Sequence, residues 1–323
     1  VLDRSAPSRP KAASRGPFAA KAEAEYVTDG PSPLTHDELR ALAAAKPLAP
    51  PLRQKIDLLL KTPFVFRNPG AELRPPRPIV TDKAEKGPSM RFASWNVERG
   101  FLFPKLVGVF DPESPTADFG DPEVLEEKRW LQDSHVILMS EADWGMKRTD
   151  YRNVAMDMAN ALDMHAVYGV EFMELAPFTT LAERFVKSGS KRHSPFSEDL
   201  DVDPARYKGM HGVAILSRYP IADSRVVRLP ECYDWYGEEL KRISILEKMG
   251  RFAADKIFLQ QVFTEYRKGG RLALVADLEV PEAPGGRVTV VSTHLENRTP
   301  PKCRVKQMRF LLDELATVDH PLV

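Results

Sequence analysis

Three polar residues in this 323-residue chain follow directly on apolar runs. Asn96 comes after Phe92-Ala-Ser-Trp, Glu141 after Val136-Ile-Leu-Met-Ser, and His294 after Val288-Thr-Val-Val-Ser-Thr. Such runs read as buried strands, and strand ends give side chains a rigid mounting on which groups distant in sequence converge. A carboxylate so placed suits a hard cation such as Mg²⁺, which keeps most of its waters and takes one or two protein carboxylates. An imidazole beside it can donate a hydrogen bond to a phosphoryl oxygen as charge builds there. An asparagine can orient a metal-bound water or the phosphate. Taken singly, each residue has a plainer reading: a turn asparagine, a solvated glutamate, a hydrogen-bonded structural histidine.

The elements that must carry these residues are legible in outline. Residues 1–33 are rich in Ala, Pro, Ser and Lys and read as a disordered arm. Residues 34–88 read as a partly helical extension. It holds a short amphipathic helix with Thr35 as N-cap, a second helix over 51–61, and prolines at 75, 76 and 78 that break the chain. The body is expected over 89–323. A strand leads to Asn96, and a helix over 121–131 has an acidic cap and proline at its first position. A strand over 135–140 leads to Glu141. Val154, Met158 and Leu162 mark a helix within 150–164. Residues 165–175 and 213–217 read as strands. The runs 271–280 and 287–292 form a hairpin about Ala283-Pro-Gly-Gly. A helix over 302–315 sets Val305, Met308, Leu311, Leu312 and Leu315 on one face. Polar inserts at 177–209 and 231–268 are expected to shape the cleft, as loops on a rigid scaffold do. Strands outnumber helices and alternate with several of them, which suggests an α/β sandwich with a partly antiparallel core.

Composition excludes several classes. Lys plus Arg and Asp plus Glu each number 46, so the net charge is zero, unlike a tight non-specific DNA binder. A local basic patch stays open. The two cysteines, Cys232 and Cys303, are far apart and form no zinc motif, and two free thiols are expected. No apolar run approaches the ~18 residues of a membrane span. Residues 1–25 lack the apolar core of a signal peptide. No compartment is assigned.

Four motifs occur in order: Ser94-Trp-Asn-Val-Glu, Leu138-Met-Ser-Glu-Ala-Asp, His211-Gly-Val-Ala-Ile-Leu-Ser-Arg-Tyr-Pro-Ile and Val290-Val-Ser-Thr-His-Leu-Glu. Together they resemble the endonuclease/exonuclease/phosphatase superfamily, over roughly residues 90–323. The resemblance implies a four-layer α/β sandwich with two facing mixed β-sheets and a divalent-metal-dependent phosphoesterase. It implies Glu141 as ligand to Mg²⁺ (or Mn²⁺) and Asn96 as an aid to the metal or scissile phosphate. His294 would contact the phosphate, as in the deoxyribonuclease and neutral sphingomyelinase branches. The expected partner is a phosphate-ester substrate, with nucleic acid among the candidates, and the expected state is a monomer.

The family continues with a strand ending in Gly-Asp-x-Asn and then an Asp-His pair. This sequence has no Gly-Asp-x-Asn, so the site is expected to be incomplete and the domain truncated at its C-terminus. His320-Pro-Leu-Val reads as the start of the next strand, and Asp319-His320 is not assigned to the final pair. The alternative is an inactive family member acting only as a binding module. Asp143 is read as a loop acid, and Arg298, Lys302, Arg304 and Lys306 as a solvated helix face. Arg304 and Gln307 match a structural Arg-x-x-Gln pattern of the family. His211 is placed near the cleft but not in the site.

Overall fold

The computed structural model describes residues 27–44, 47–72, 89–111, 122–175, 202–238 and 267–323. Most of both expected inserts, the arm to residue 26, and the proline-rich stretch 73–88 lie outside these residues.

The first described elements are β1 (Val27–Asp29), α1 (His36–Ala43), α2 (Pro50–Lys61), β2 (Phe64–Arg67) and α3 (Pro69–Glu72). Thr35 caps α1 in a reciprocal box. Its hydroxyl accepts from the Glu38 N–H at 3.3 Å, and Glu38 Oε2 accepts from the Thr35 N–H at 2.7 Å. Prolines at its first turn start α2. These elements do not stand apart as an extension. Leu39, Leu42, Ile56, Leu59, Phe64 and Phe66 are buried in the same core as the strands that follow. Val27–Asp29, inside the expected disordered arm, pairs with β2.

The remaining elements are β3 (Phe92–Arg99), α4 (Phe103–Phe110), α5 (Pro122–Gln132), β4 (Val136–Trp144), α6 (Val154–Ala161), β5 (His165–Glu174), β6 (Met210–Ser217), β7 (Ile221–Arg228), β8 (Arg267–Gly269), β9 (Leu272–Glu279), β10 (Arg287–Thr293) and α7 (Pro301–Leu315). One sheet runs β1-β2-β5-β6-β4-β3, with β8 also on β5. It is mixed, since β3 and β4 are parallel and the other pairs antiparallel. The second runs β10-β9-β7. Its three strands are antiparallel rather than mixed as expected. A parallel bridge reaches it where Thr289 meets Leu322. There the Thr289 N–H donates to Pro321 O and the Val323 N–H to Thr289 O, so 321–323 do align as an added strand.

The sheets pack face to face. Val136, Val167, Val213 and Ile215 of one meet Leu272, Leu274, Leu278, Val288 and Val290 of the other in a shared apolar layer. Helices α1, α2, α4 and α6 cover the outer face of the large sheet. Helix α7 covers the outer face of the small one through Leu311 and Leu315. The order helix, sheet, sheet, helix is a four-layer α/β sandwich. Strands β5 and β6 lie inside it, which is why both read as continuous apolar runs. The expected apolar face of α7 is only partly used: Val305, Met308 and Leu312 are exposed.

Candidate active site

The three residues singled out in the sequence do not all end strands. His294 does follow the last residue of β10. Asn96 is the last β3 residue in register before an irregularity, and β3 runs on to Arg99. Glu141 lies inside β4, where pairing to both neighbours slips: against β3 between Ser140 and Ala142, and against β6 between Met139 and Ala142. Its φ is +58°, in the left-handed region that costs a residue with a Cβ. A bulge of this kind re-aims a side chain without ending the strand. The buried Tyr168 hydroxyl helps hold it by donating to Ala142 O at 3.1 Å. Burial pushes the Tyr168 pKa well up, so the group remains a donor.

The slip brings Glu141 to His294, with Oε1 3.9 Å from Nε2. Among the described residues no hydrogen bond holds the Glu141 carboxylate, and its side chain is 28 % exposed. Asn96 is exposed and its Oδ1 accepts from the Glu98 N–H at 2.9 Å, the local turn contact expected of an asparagine there. A carbonyl oxygen keeps a second lone pair after one such bond.

Behind His294 lies a charged set that the sequence reading did not single out. Arg271 Nη1 donates to His294 Nδ1 at 2.9 Å and lies 3.4 Å from Glu171 Oε1. Glu171 is fully buried, and its Oε2, 3.9 Å from His294 Nδ1, has no hydrogen bond among the described residues. Arg228 extends to the carbonyls of Val170 and Gly270, pinning the strands that carry Glu171 and Arg271. Burial pushes its pKa down to about 10. A guanidinium can only donate, so His294 Nδ1 is an acceptor and the neutral ring carries its proton on Nε2, toward Glu141. Burial, Arg271 and His211 lower the His294 pKa, and Glu171 and Glu141 oppose them without winning. A charged residue in the middle of a largely apolar strand is the signal that marks Glu171, since buried charges are nearly always paired.

Glu296 fastens the loop after His294. It is buried, and its Oε2 accepts from Trp235 Nε1 at 2.9 Å and lies 3.7 Å from Arg271 Nε. Gln307 accepts from the Glu296 N–H at 3.0 Å and donates to Pro230 O at 3.1 Å. Arg304 donates to the Glu296 and Thr299 carbonyls. Arg304 and Gln307 thus have the structural role the motif implied. The Arg267 guanidinium lies over the rings of Trp235 and Phe172 at 4.0 and 4.1 Å, and those rings meet edge to face. Cys232 and Cys303 are bridged, not free as expected, and tie the 230–238 loop to α7. Strand spacing gives no hint of this, because the fold brings positions 71 residues apart to a Cα separation of 6.2 Å.

Asp143 is no loop acid. It is fully buried on β4, directly across from His211 of β6. Its Oδ1 is 2.8 Å from His211 Nδ1, and Arg148 donates to both its oxygens at 2.7 and 3.1 Å. Arg148 also pairs with Glu174 at 3.0 Å. Burial works against the Asp143 carboxylate, but Arg148 and His211 outweigh it and hold its pKa below the ordinary value. Gly212 beside His211 is required by close packing. A Cβ there would stand 2.0 Å from Gly169 O.

A divalent cation has a restricted choice here. No group of three or more His, Cys, Asp or Glu side chains among the described residues could hold one. Glu141 with Asn96 is nonetheless the kind of sparse oxygen set a cation of the Mg²⁺ type accepts, since it keeps several waters. No helix among the described residues is long and apolar enough to cross a membrane.

No protein-family model and no curated protein matches the chain. Solved structures similar to it include the following two. An endonuclease/exonuclease/phosphatase from Beutenbergia cavernae DSM 12333 is 17 % identical, with 71 % of this chain and 44 % of that one covered and a TM-score of 0.33. ANGEL2, a 2',3'-cyclic phosphatase, is 14 % identical, with 70 % and 46 % covered and a TM-score of 0.32. The chain thus spans less than half the length of either.

Proposed function

We propose that this protein is a divalent-metal-dependent phosphoesterase of the endonuclease/exonuclease/phosphatase kind. The observation that carries the reading is Glu141. It is held in a left-handed bulge, and its carboxylate faces His294 at 3.9 Å with no hydrogen bond to it among the described residues. Strain of this sort persists where the surroundings enforce it, and it clusters at working sites. Glu141, with Asn96, would hold Mg²⁺ or Mn²⁺. Such an ion, when bound, polarises a phosphoryl oxygen and stabilises the leaving oxyanion. His294 donates from Nε2 to a non-bridging phosphoryl oxygen, strengthening that bond as charge grows. Arg271 sets the ring's orientation, and Glu171 balances the guanidinium.

The substrate is a phosphodiester or a phosphomonoester. The test is a panel in Mg²⁺ on the full-length protein: plasmid DNA, bis(p-nitrophenyl) phosphate, sphingomyelin and a nucleoside 2',3'-cyclic phosphate. Hydrolysis of at least one, lost in Glu141→Gln at unchanged fold, is expected. Near wild-type turnover by Glu141→Gln removes Glu141 from the role. Binding without hydrolysis across the panel favours a binding module instead.

A further inference from the structure

The cysteine bridge joins the two segments that hold Glu296, and neither of its residues lies deep in the protein. We propose that Cys232 and Cys303 form a thiol–disulfide exchange site, opened by an external dithiol, whose reduction unseats His294 and lowers turnover; the effect on turnover rests on the phosphoesterase reading.

The path from the bridge to His294 is short and made of direct contacts. Cys232 lies in the 230–238 loop, and three residues on, Trp235 Nε1 donates to Glu296 Oε2 at 2.9 Å. Cys303 lies in α7. One turn on, Gln307 accepts from the Glu296 N–H at 3.0 Å and donates to Pro230 O at 3.1 Å. Glu296 is thus clamped from both ends of the bridge. It is buried, two residues past His294, and its Oε2 lies 3.7 Å from Arg271 Nε. Arg271 in turn donates to His294 Nδ1 at 2.9 Å. Without the covalent tie, noncovalent contacts alone hold the loop on α7. Each excursion of the loop leaves the Glu296 carboxylate buried without its indole donor. That costly state is relieved when the segment carrying Glu296 shifts, and His294 shifts with it.

The bridge is also placed to be opened. Both cysteines are half-buried, and access is one of the factors that set exchange rates. Cys303 stands in the first turn of the 15-residue α7, with the exposed Lys302 and Lys306 within a turn of it. The N–H groups of a helix N-terminus and these cations favour negative charge on Cys303 Sγ. A disulfide breaks faster when the departing sulfur bears charge readily, so attack on Cys232 Sγ is the favoured course. Cys232 Sγ lies 3.5 Å from Pro230 O, which can accept from its thiol once formed.

In the first step a thiolate of the dithiol forms an S–S bond to Cys232 Sγ. The Cys232–Cys303 bond breaks, and its electron pair leaves with Cys303 Sγ. The second thiol of the reagent gives its proton to solvent and attacks its own sulfur in the mixed disulfide. Cys232 Sγ departs with the electron pair and takes a proton from solvent. The bridge has gained two electrons, and the dithiol has become a disulfide. The reverse exchange, with that disulfide as oxidant, restores the bridge.

The experiment equilibrates the full-length protein in mixtures of reduced and oxidised dithiothreitol. It then reads hydrolysis of bis(p-nitrophenyl) phosphate in Mg²⁺, and exchange of the Trp235 indole N–H by NMR. Reduction is expected to lower kcat by about 10–100-fold with little change in KM, and reoxidation to restore it. Indole exchange should become about tenfold faster or more as the Trp235–Glu296 bond opens. Cys232→Ser with Cys303→Ser should sit at the reduced level and ignore the reagent. A kcat that stays within about twofold on reduction overturns the proposal, as does a double variant as active as the bridged wild type. So do a bridge that resists excess dithiothreitol, a loss that reoxidation does not reverse, and a reduced chain that unfolds, because a switch needs two folded states. Unchanged indole exchange overturns it whatever kcat does. A bridged wild type inactive on every ester tested sinks the phosphoesterase reading, and indole exchange alone then decides whether opening the bridge frees Glu296. An active wild type indifferent to reduction sinks this proposal alone.

Discussion

Arg271 donates to His294 Nδ1 at 2.9 Å, so a fixed cation, not a carboxylate, makes the nearest contact to this ring. Burial and Arg271 together hold the His294 pKa below its usual value. An NMR titration should place its midpoint below about 6.5, and Arg271→Met should raise it by leaving only burial and His211 to oppose Glu171 and Glu141. The sign for stability follows. The folded-state pKa is below the unfolded one, so the His294 contribution is intact above the unfolded value and is lost as pH falls through the folded one. Denaturation midpoints at pH 8 and pH 5.5 should differ less in His294→Gln than in the wild type. Equal differences would refute the lowered pKa.

Glu141 bears a conformational cost that glycine would not. At φ +58°, an L-residue is less stable by about 1–2 kcal/mol, and glycine is free of that penalty. Glu141→Gly should therefore raise the urea midpoint, with a gain of about 1 kcal/mol after its own entropy is counted. It should also abolish hydrolysis. Greater stability with lost turnover is the outcome expected of a strained working residue; lower stability would mean the carboxylate contributes to packing.

Arg148 lies between two buried carboxylates, Asp143 and Glu174, at 2.7 and 3.0 Å. Burial lowers its pKa, but Glu174 and Asp143 more than reverse that, so it stays charged. Arg148→Met removes the guanidinium from both acids and leaves Asp143 with His211 alone. Breaking a buried pair in this way costs about 3–5 kcal/mol. Calorimetry should show a large drop in Tm, and a drop of only a degree or two would mean that water or another cation replaces the guanidinium.

The Cys232–Cys303 bridge closes a 71-residue separation. Cross-links of that span contribute about 4 kcal/mol by restricting the unfolded chain. Cys232→Ser with Cys303→Ser should lower stability by that order under oxidising conditions and should remove the response of the wild type to reductant. A wild type equally stable with and without reductant would contradict it.

Much of the fold was legible because it rests on local rules. The Thr35 capping box, the Ala283-Pro-Gly-Gly turn and the apolar runs of β5 and β6 are read within a few residues. The alignment of 321–323 on β10 was legible for the same reason. The site was less so. Glu141 and His294 stood out because polar residues followed apolar runs, but a bulge has no local signature, and Glu141 was expected at a strand end. Asp143 and His211 lie 68 residues apart and meet only through the β4–β6 register. Glu171 and Arg271 left a trace, a charge among apolar strand residues, that points to a buried pair without naming the partner. The arm and extension were set apart on composition. Yet Leu39, Phe64 and Phe66 join the main core, because burial follows the sheet edge and not the sequence boundary.

The stacking of Arg267 against Trp235 has a consequence for how this protein can vary. Glu238 and Arg267 flank the stretch 239–266, and both flanks are fastened: one by the cysteine bridge and the Trp235–Glu296 bond, the other by the two aromatic faces on Arg267. Doubling the length of such a stretch costs only about 0.6 kcal/mol in closure entropy. A change in the number of residues between these two flanks is therefore expected to leave His294 in its place.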